Sequence, residues 1–129
     1  MTFLQEKYCI YDSKYGKFYI EYLYSVQKSV TFNMHIESYN FSGTHIFCLR
    51  EDQLEDILVQ LNQMISFLSG SCRIPDNDSD SYVILDFEKN SLKISGQLGG
   101  SYSDNFMCFT FLADQTAAQL LADALCNLM

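Results

Sequence analysis

His35 and His45 are the only imidazoles in the 129-residue chain, and imidazole is the side chain best matched to moving protons near neutral pH. His35 stands two residues from Glu37 in an alternating run, so both share one face, and the strand register expected below puts Glu21 opposite. A histidine–carboxylate couple is half of a general-base arrangement. The other half, a nucleophile presented on a tight Gly-rich turn, is missing, so a cross-strand surface pair accounts for these residues. Asp76-Asn77-Asp78-Ser79-Asp80 copies the first five positions of a calcium-binding loop. Such a loop then needs glycine sixth and glutamate twelfth; this chain has Ser81 and Phe87, which leaves a solvated acidic loop. Gly99-Gly100 lacks the lysine and the strand-to-helix setting of a phosphate loop. Cys9, Cys48, Cys72, Cys108 and Cys126 are odd in number with wide gaps, which fits neither a disulfide framework nor a zinc site. They read as reduced, mostly buried thiols. These patterns imply no metal, no cofactor and no enzyme.

The elements that would carry these residues are organised around Glu51–Leu68. Leu54, Ile57, Leu58, Leu61, Met64, Ile65 and Leu68 recur at steps of three and four, the apolar stripe of an amphipathic helix. Acidic residues fill its first turns, and Gly70 is free to take the left-handed conformation that ends many helices. Before it, Lys7–Asp12 reads as a short strand. Lys17–Val26 and Val30–Glu37 alternate with period two and form a hairpin. A three-residue loop at Gln27-Lys28-Ser29 would set Val26 against Val30, Tyr24 against Phe32 and Tyr22 against Met34. Tyr39–Gly43 breaks the run, and Thr44–Leu49 is a further strand.

After the helix, Arg73–Ser81 reads as loop, and Tyr82–Glu88 with Ser91–Ser95 as a second hairpin around Lys89-Asn90. There Phe87 faces Leu92, Leu85 faces Ile94, and Asp86 faces Lys93 on the other side. Gly96–Ser103 reads as loop. Asn105–Leu112 is apolar on both faces, as a central strand would be. Asp114 is positioned to cap a last helix through Asn127. The expectation is a single α+β domain, residues 1–129: an antiparallel sheet of about six strands with both helices on one face, and no internal repeat.

Composition narrows the function classes. The net charge is −8, and residues 51–129 carry twelve carboxylates against Arg73, Lys89 and Lys93. Such a surface repels nucleic-acid backbones and admits a basic protein partner. No apolar run is long enough to cross a bilayer, and MTFLQEKYCIYD lacks the basic-then-apolar order of a secretory signal, so a cytoplasmic protein with no membrane partner is expected. Seven of the nine tyrosines fall within the first 39 residues, more than one core face can hide, and tyrosine suits interfaces as well as strands.

The central helix ending in Ser-Gly, the acidic loop, the second hairpin, and Phe109, Phe111, Asp114, Gln115 and Thr116 opening the final helix together resemble bacterial immunity proteins of polymorphic toxin systems, of the contact-dependent growth inhibition and wall-associated kinds. The resemblance covers mainly residues 51–125. It implies a cytoplasmic binding protein, without catalytic activity, that neutralises a neighbour's toxic domain, often a nuclease; no binding residue carries over. From the residues themselves, Asp76, Asp78 and Asp80 stand outside the apolar pattern with no visible structural duty. Asp86 and Glu88 extend from the adjoining strand, and these five are the candidate partner-binding acids. The alternative is a small homodimeric structural or adaptor domain that associates through its tyrosine-rich sheet.

Overall fold

The computed structural model describes residues 6–100 and 105–129. The element order is β1 (Lys7–Asp12), β2 (Gly16–Val26), β3 (Ser29–Ser38), β4 (Phe41–Arg50), α1 (Glu51–Phe67), β5 (Ser71–Pro75), β6 (Tyr82–Glu88), β7 (Ser91–Gly99), β8 (Phe106–Ala113) and α2 (Thr116–Asn127). The α+β class holds. The strands form two four-stranded antiparallel sheets, β1-β2-β3-β4 and β5-β6-β7-β8, in place of one sheet of about six. Four strands and a helix therefore occur twice in succession, an architectural repeat that leaves no trace as recurring sequence. The division has a local cause. The outer edge of β4 is closed at Cys48, whose N–H donates to the Asp76 carboxylate (2.9 Å) and whose carbonyl accepts the Asn77 N–H (3.2 Å). A further strand cannot pair through that residue.

The inner faces of the two sheets share one core with both helices. Phe18, Ile20, Phe32, Met34, Ile36 and Phe47 of the first sheet are fully buried, as are Ile74, Val83, Leu85, Leu92 and Ile94 of the second. The sheets meet where β2 and β3 approach β8 and where β4 approaches β7: the Phe111 ring lies over Gly16, the Ser38 hydroxyl donates to the Thr110 carbonyl at 3.1 Å, and Leu98 faces Gly43. Helices α1 and α2 pack on each other, α1 also against β5 and β4, α2 against β1. Of the expected α1 stripe, Leu54, Ile57, Leu61 and Met64 are buried, Leu58 and Ile65 half-buried, and Leu68 is exposed. Leu68 itself takes the left-handed turn that ends the helix (φ 50°), two residues before Gly70. At α2 the cap is Gln115, not Asp114.

The first hairpin departs from the expected register. Gln27 and Lys28 both have positive φ (49° and 64°) and close a two-residue loop between Val26 and Ser29, the primed turn geometry that matches strand twist. A two-residue loop with unbroken alternation would set apolar residues against polar ones. A bulge at Leu23 removes the conflict, because one extra residue restores the parity of the faces. Below the bulge Tyr22 faces Phe32, Ile20 faces Met34 and Phe18 faces Ile36. Above it, Tyr24 and Val26 are left outside, 56% and 57% exposed. Phe41–Gly43 and Arg73–Pro75, expected as irregular, belong to β4 and β5, and Gly96–Gly99 extends β7; residues 101–103 of the expected loop lie outside the described residues. Strand β8 is an edge of its sheet rather than a central strand, and its outward Phe106 and Leu112 are exposed.

The second hairpin matches: Phe87 faces Leu92, Leu85 faces Ile94, Asp86 faces Lys93. Leu85→Ala and Ile94→Ala should each cost about 2–5 kcal/mol as truncations of fully buried side chains. Asp86→Ala should cost under about 1 kcal/mol. A urea denaturation series giving the reverse order would overturn this register.

Candidate functional site

Of the five acids expected to bind a partner, the structure separates two from the rest. The loop holding Asp76, Asp78 and Asp80 joins Pro75 to Tyr82, which face each other across β5 and β6. Asp86 and Glu88 lie four and six residues along β6 from Tyr82, about 13 and 20 Å away at 3.3 Å per residue. Asp86 stands between Ser71 and Lys93, so its neighbourhood is not acidic. Asp76 is 7% exposed, and its carboxylate accepts the N–H groups of Cys48 and Asp78 and the Ser79 hydroxyl (2.9, 3.2 and 2.5 Å). It is a structural group that ties the loop to β4, contrary to its expected freedom. Asp78 and Asp80 are exposed.

The loop is joined instead to the start of α1. The side-chain amides of Gln53 and Asn77 bond reciprocally, Asn77 Nδ2 to Gln53 Oε1 at 2.6 Å and Gln53 Nε2 to Asn77 Oδ1 at 3.0 Å. Gln53 Oε1 also accepts the Arg50 N–H at 2.9 Å and so caps the helix. The tip of the first hairpin arrives at the same place, where Lys28 O accepts the Glu51 N–H at 2.9 Å. Three segments thus converge on one corner. It carries Glu51, Asp52, Glu55 and Asp56 of α1 with the loop that bears Asp78, and Tyr24 and Val26 stand exposed on the hairpin tip; the Asp80 side chain lies instead beside Gly100 at the end of β7. Arg50, 3.1 Å from Asp52, and Lys28, which lines the same hollow as Glu51, Asp52 and Glu55, share the corner as cations. The sequence counts the α1 acids in one acidic block from Glu51 to Glu88 and gives them a duty at the helix dipole, and its alternation puts Tyr24 and Val26 inside, since nothing in the pattern marks the bulge.

A groove of about 440 Å³ lies on the outward face of the first sheet. Tyr19 and His35 face each other across β2 and β3, with Glu21 opposite Asn33 rather than opposite His35. His35 shares a 2.6 Å hydrogen bond through Nδ1 with the Thr44 hydroxyl, and its Nε2 lies 3.4 Å from the Glu37 carboxylate. Lys7 sits over the Tyr19 ring, 5.0 Å from its centroid. The Tyr19 hydroxyl donates to Asp12 at 2.8 Å, and this hydrogen bond to a carboxylate is the main reason that its pKa is pushed up to about 12. The phenol keeps its proton in the fold up to about pH 12, whereas an unfolded tyrosine loses it near 10, so the stabilisation is complete below pH 10 and disappears as pH rises through 12. The Tyr8 pKa is raised as well, by its hydrogen bond to Glu6, so phenolate absorbance should show late-titrating tyrosines, and Asp12→Asn should return Tyr19 alone to the ordinary range.

His45 sits elsewhere, as a joint between the sheets. Its Nδ1 lies 3.1 Å from the Ser81 hydroxyl, which accepts the Gly99 N–H at 2.7 Å. Ser81 is 2% exposed, closed to any substrate. Cys9, Cys108 and Cys126 are exposed, contrary to the expectation of mostly buried thiols; Cys72 is buried, which pushes its pKa up to about 11. Among the described residues no group of three or more His, Cys, Asp or Glu side chains is arranged to hold a metal ion, and no helix is long and apolar enough to cross a membrane.

No known family description and no characterised protein matches the chain. A solved structure is similar: that of the plant transcriptional regulator PBF-2, at 9% identity and a TM-score of 0.58, over 98% of this chain and 81% of that one. At that identity the likeness is one of fold.

Proposed function

We propose that this chain is a non-enzymatic immunity protein: it binds a basic toxic domain in the cytoplasm and covers its active surface, using the corner where α1 begins. The reciprocal Gln53–Asn77 pair carries this reading. It ties the loop, through the residue next to Asp78, to the first turn of α1 with its four carboxylates, where a separate loop would have let these like charges move apart. Mutual repulsion is tolerated in solvent and is relieved when lysine or arginine side chains dock. Exposed Tyr24 and Val26 at the same corner supply apolar contact, and tyrosine serves well as an anchor surrounded by polar groups. The reading moves the partner surface away from Asp86 and Glu88 and removes Asp76 from it. The tyrosine-sheet alternative is less favoured, because Tyr8, Tyr11 and Tyr22 pack against the core while Tyr15 and Tyr39 contact each other at 6.0 Å.

The test is binding to the toxin domain of a contact-dependent inhibition system by titration calorimetry and stopped flow. Asp78→Asn with Asp80→Asn should weaken affinity by about 1.4 kcal/mol or more, tenfold. Glu55→Gln with Asp56→Gln should do the same, and association should slow as salt rises, since the Debye length falls from about 10 Å at 0.1 M to 3 Å at 1 M. Unchanged affinity in both double variants, or association flat across that range, would remove the corner from the interface.

A further inference from the structure

The groove on the outward face of the first sheet shares no residue with the acidic corner, and its chemistry points to a different ligand. We propose that it binds a neutral, hydroxyl-rich molecule of the size of one or two sugar rings. Its volume of about 440 Å³ falls in the range of small-molecule sites, roughly 300–1,000 Å³.

The lining decides among ligand classes. Glu21 and Glu37 both face the groove against the single cation Lys7, so a phosphate or carboxylate is repelled. A cationic ligand is left with the two carboxylates alone, because Lys7 already lies over the Tyr19 ring, 5.0 Å from its centroid, and repels a second positive charge beside it. An apolar ligand finds polar side chains around one aromatic ring. A hydroxyl group both donates and accepts, and this lining offers both counterparts: carboxylates that only accept, and the Lys7 ammonium and Asn33 amide that donate.

The existing contacts are also of the kind that a ligand can replace. Asn33 to Glu21 and His35 to Glu37 are both 3.4 Å, at the weak end for hydrogen bonds, so ligand hydroxyls can take their place at small loss. The 2.6 Å bond between His35 Nδ1 and Thr44 fixes the imidazole in the lining of the groove and leaves Nε2 with only the 3.4 Å contact to Glu37.

Amide chemical shifts of the ¹⁵N-labelled protein, titrated with glucose, galactose, mannose and maltose, test this, with inorganic phosphate and arginine as charged probes. Each is taken to about 50 mM, well above millimolar dissociation constants. The expected result is saturable shifts at groove amides with at least one sugar and none with phosphate. Glu37→Gln and Asn33→Ala should each weaken that binding at least about tenfold with the rest of the spectrum unchanged, and Asp78→Asn should not affect it. Absence of saturation with all four sugars, sugar binding unaltered in both groove variants, or groove shifts with arginine alone would each overturn the proposal; the last would assign the groove to a basic side chain of a protein partner.

Discussion

Asp76→Ala is expected to destabilise the fold by about 2–4 kcal/mol, because charge-assisted hydrogen bonds are worth about 1.5–3 kcal/mol each and the donors left behind are partly buried. One carboxylate oxygen accepts the Cys48 and Asp78 N–H groups, and the other accepts the Ser79 hydroxyl. Ser79 in turn accepts the Ser81 N–H at 3.1 Å, so the loop is built outward from Asp76. Asp76→Asn keeps the oxygen that serves both N–H groups, and the Ser79 hydroxyl can rotate to accept from the new amide; it should cost about 1 kcal/mol. Asp78→Asn and Asp80→Asn should stay within about 0.5 kcal/mol, as exposed positions do. Urea denaturation of the four variants checks the order. An Asp76→Ala protein as stable as the parent would mean that the β4 edge is not held by this carboxylate, and the account of why the strands divide into two sheets would fail with it.

The contrast between Asp76 and its neighbours shows what the sequence makes legible. D-x-D-x-D is three like residues by pattern, and nothing local says which of them turns inward; the donor it meets, Cys48, is 28 residues away. The same contact explains the missed sheet boundary. Counting strands gave no sign that β4 would be closed by a loop, and short β5, which ends in Pro75, reads as loop composition. The α1 stripe and the Leu85–Ile94 register were readable because each depends on spacing alone. The first hairpin was not, since its bulge at Leu23 preserves the apolar face while sliding the pairing by two residues. Above the bulge the pairing is one residue off the expected register, which turns Tyr24 and Val26 to the surface, so the acidic corner could be only half seen from its charges. Outward Phe106 and Leu112 made β8 look buried on both faces, a reminder that exposed apolar residues are common.

Gly96→Ala should be the most damaging small substitution in the second sheet, with an expected loss of about 3 kcal/mol or more. A Cβ there would stand 2.1 Å from the Tyr82 carbonyl oxygen and 3.1 Å from the tip of the Phe109 ring. The first obstacle is backbone, held in the β6–β7 ladder, so relief means parting strands rather than rotating a side chain. Two other glycines calibrate the effect. At Gly16 the Cβ would meet Phe111 ring carbons at 2.7 and 2.9 Å. That ring is buried and flanked by Tyr11, with centroids 6.0 Å apart, so it can shift only against its packing, and Gly16→Ala should cost about 1–3 kcal/mol. At Gly43 the nearest atoms are the ends of Leu98 and Met107, both at 3.4 Å. These can give way, and alanine narrows the unfolded ensemble, so stability should change by less than about 1 kcal/mol in either direction. Thermal and urea unfolding of the three alanine variants should therefore rank Gly43, Gly16, Gly96 in increasing loss. The ranking follows from whether the obstacle is a flexible tip, a packed ring or a carbonyl in a ladder. Gly96→Ala melting with Gly43→Ala would mean that Tyr82 and Gly96 do not approach as closely as this register requires.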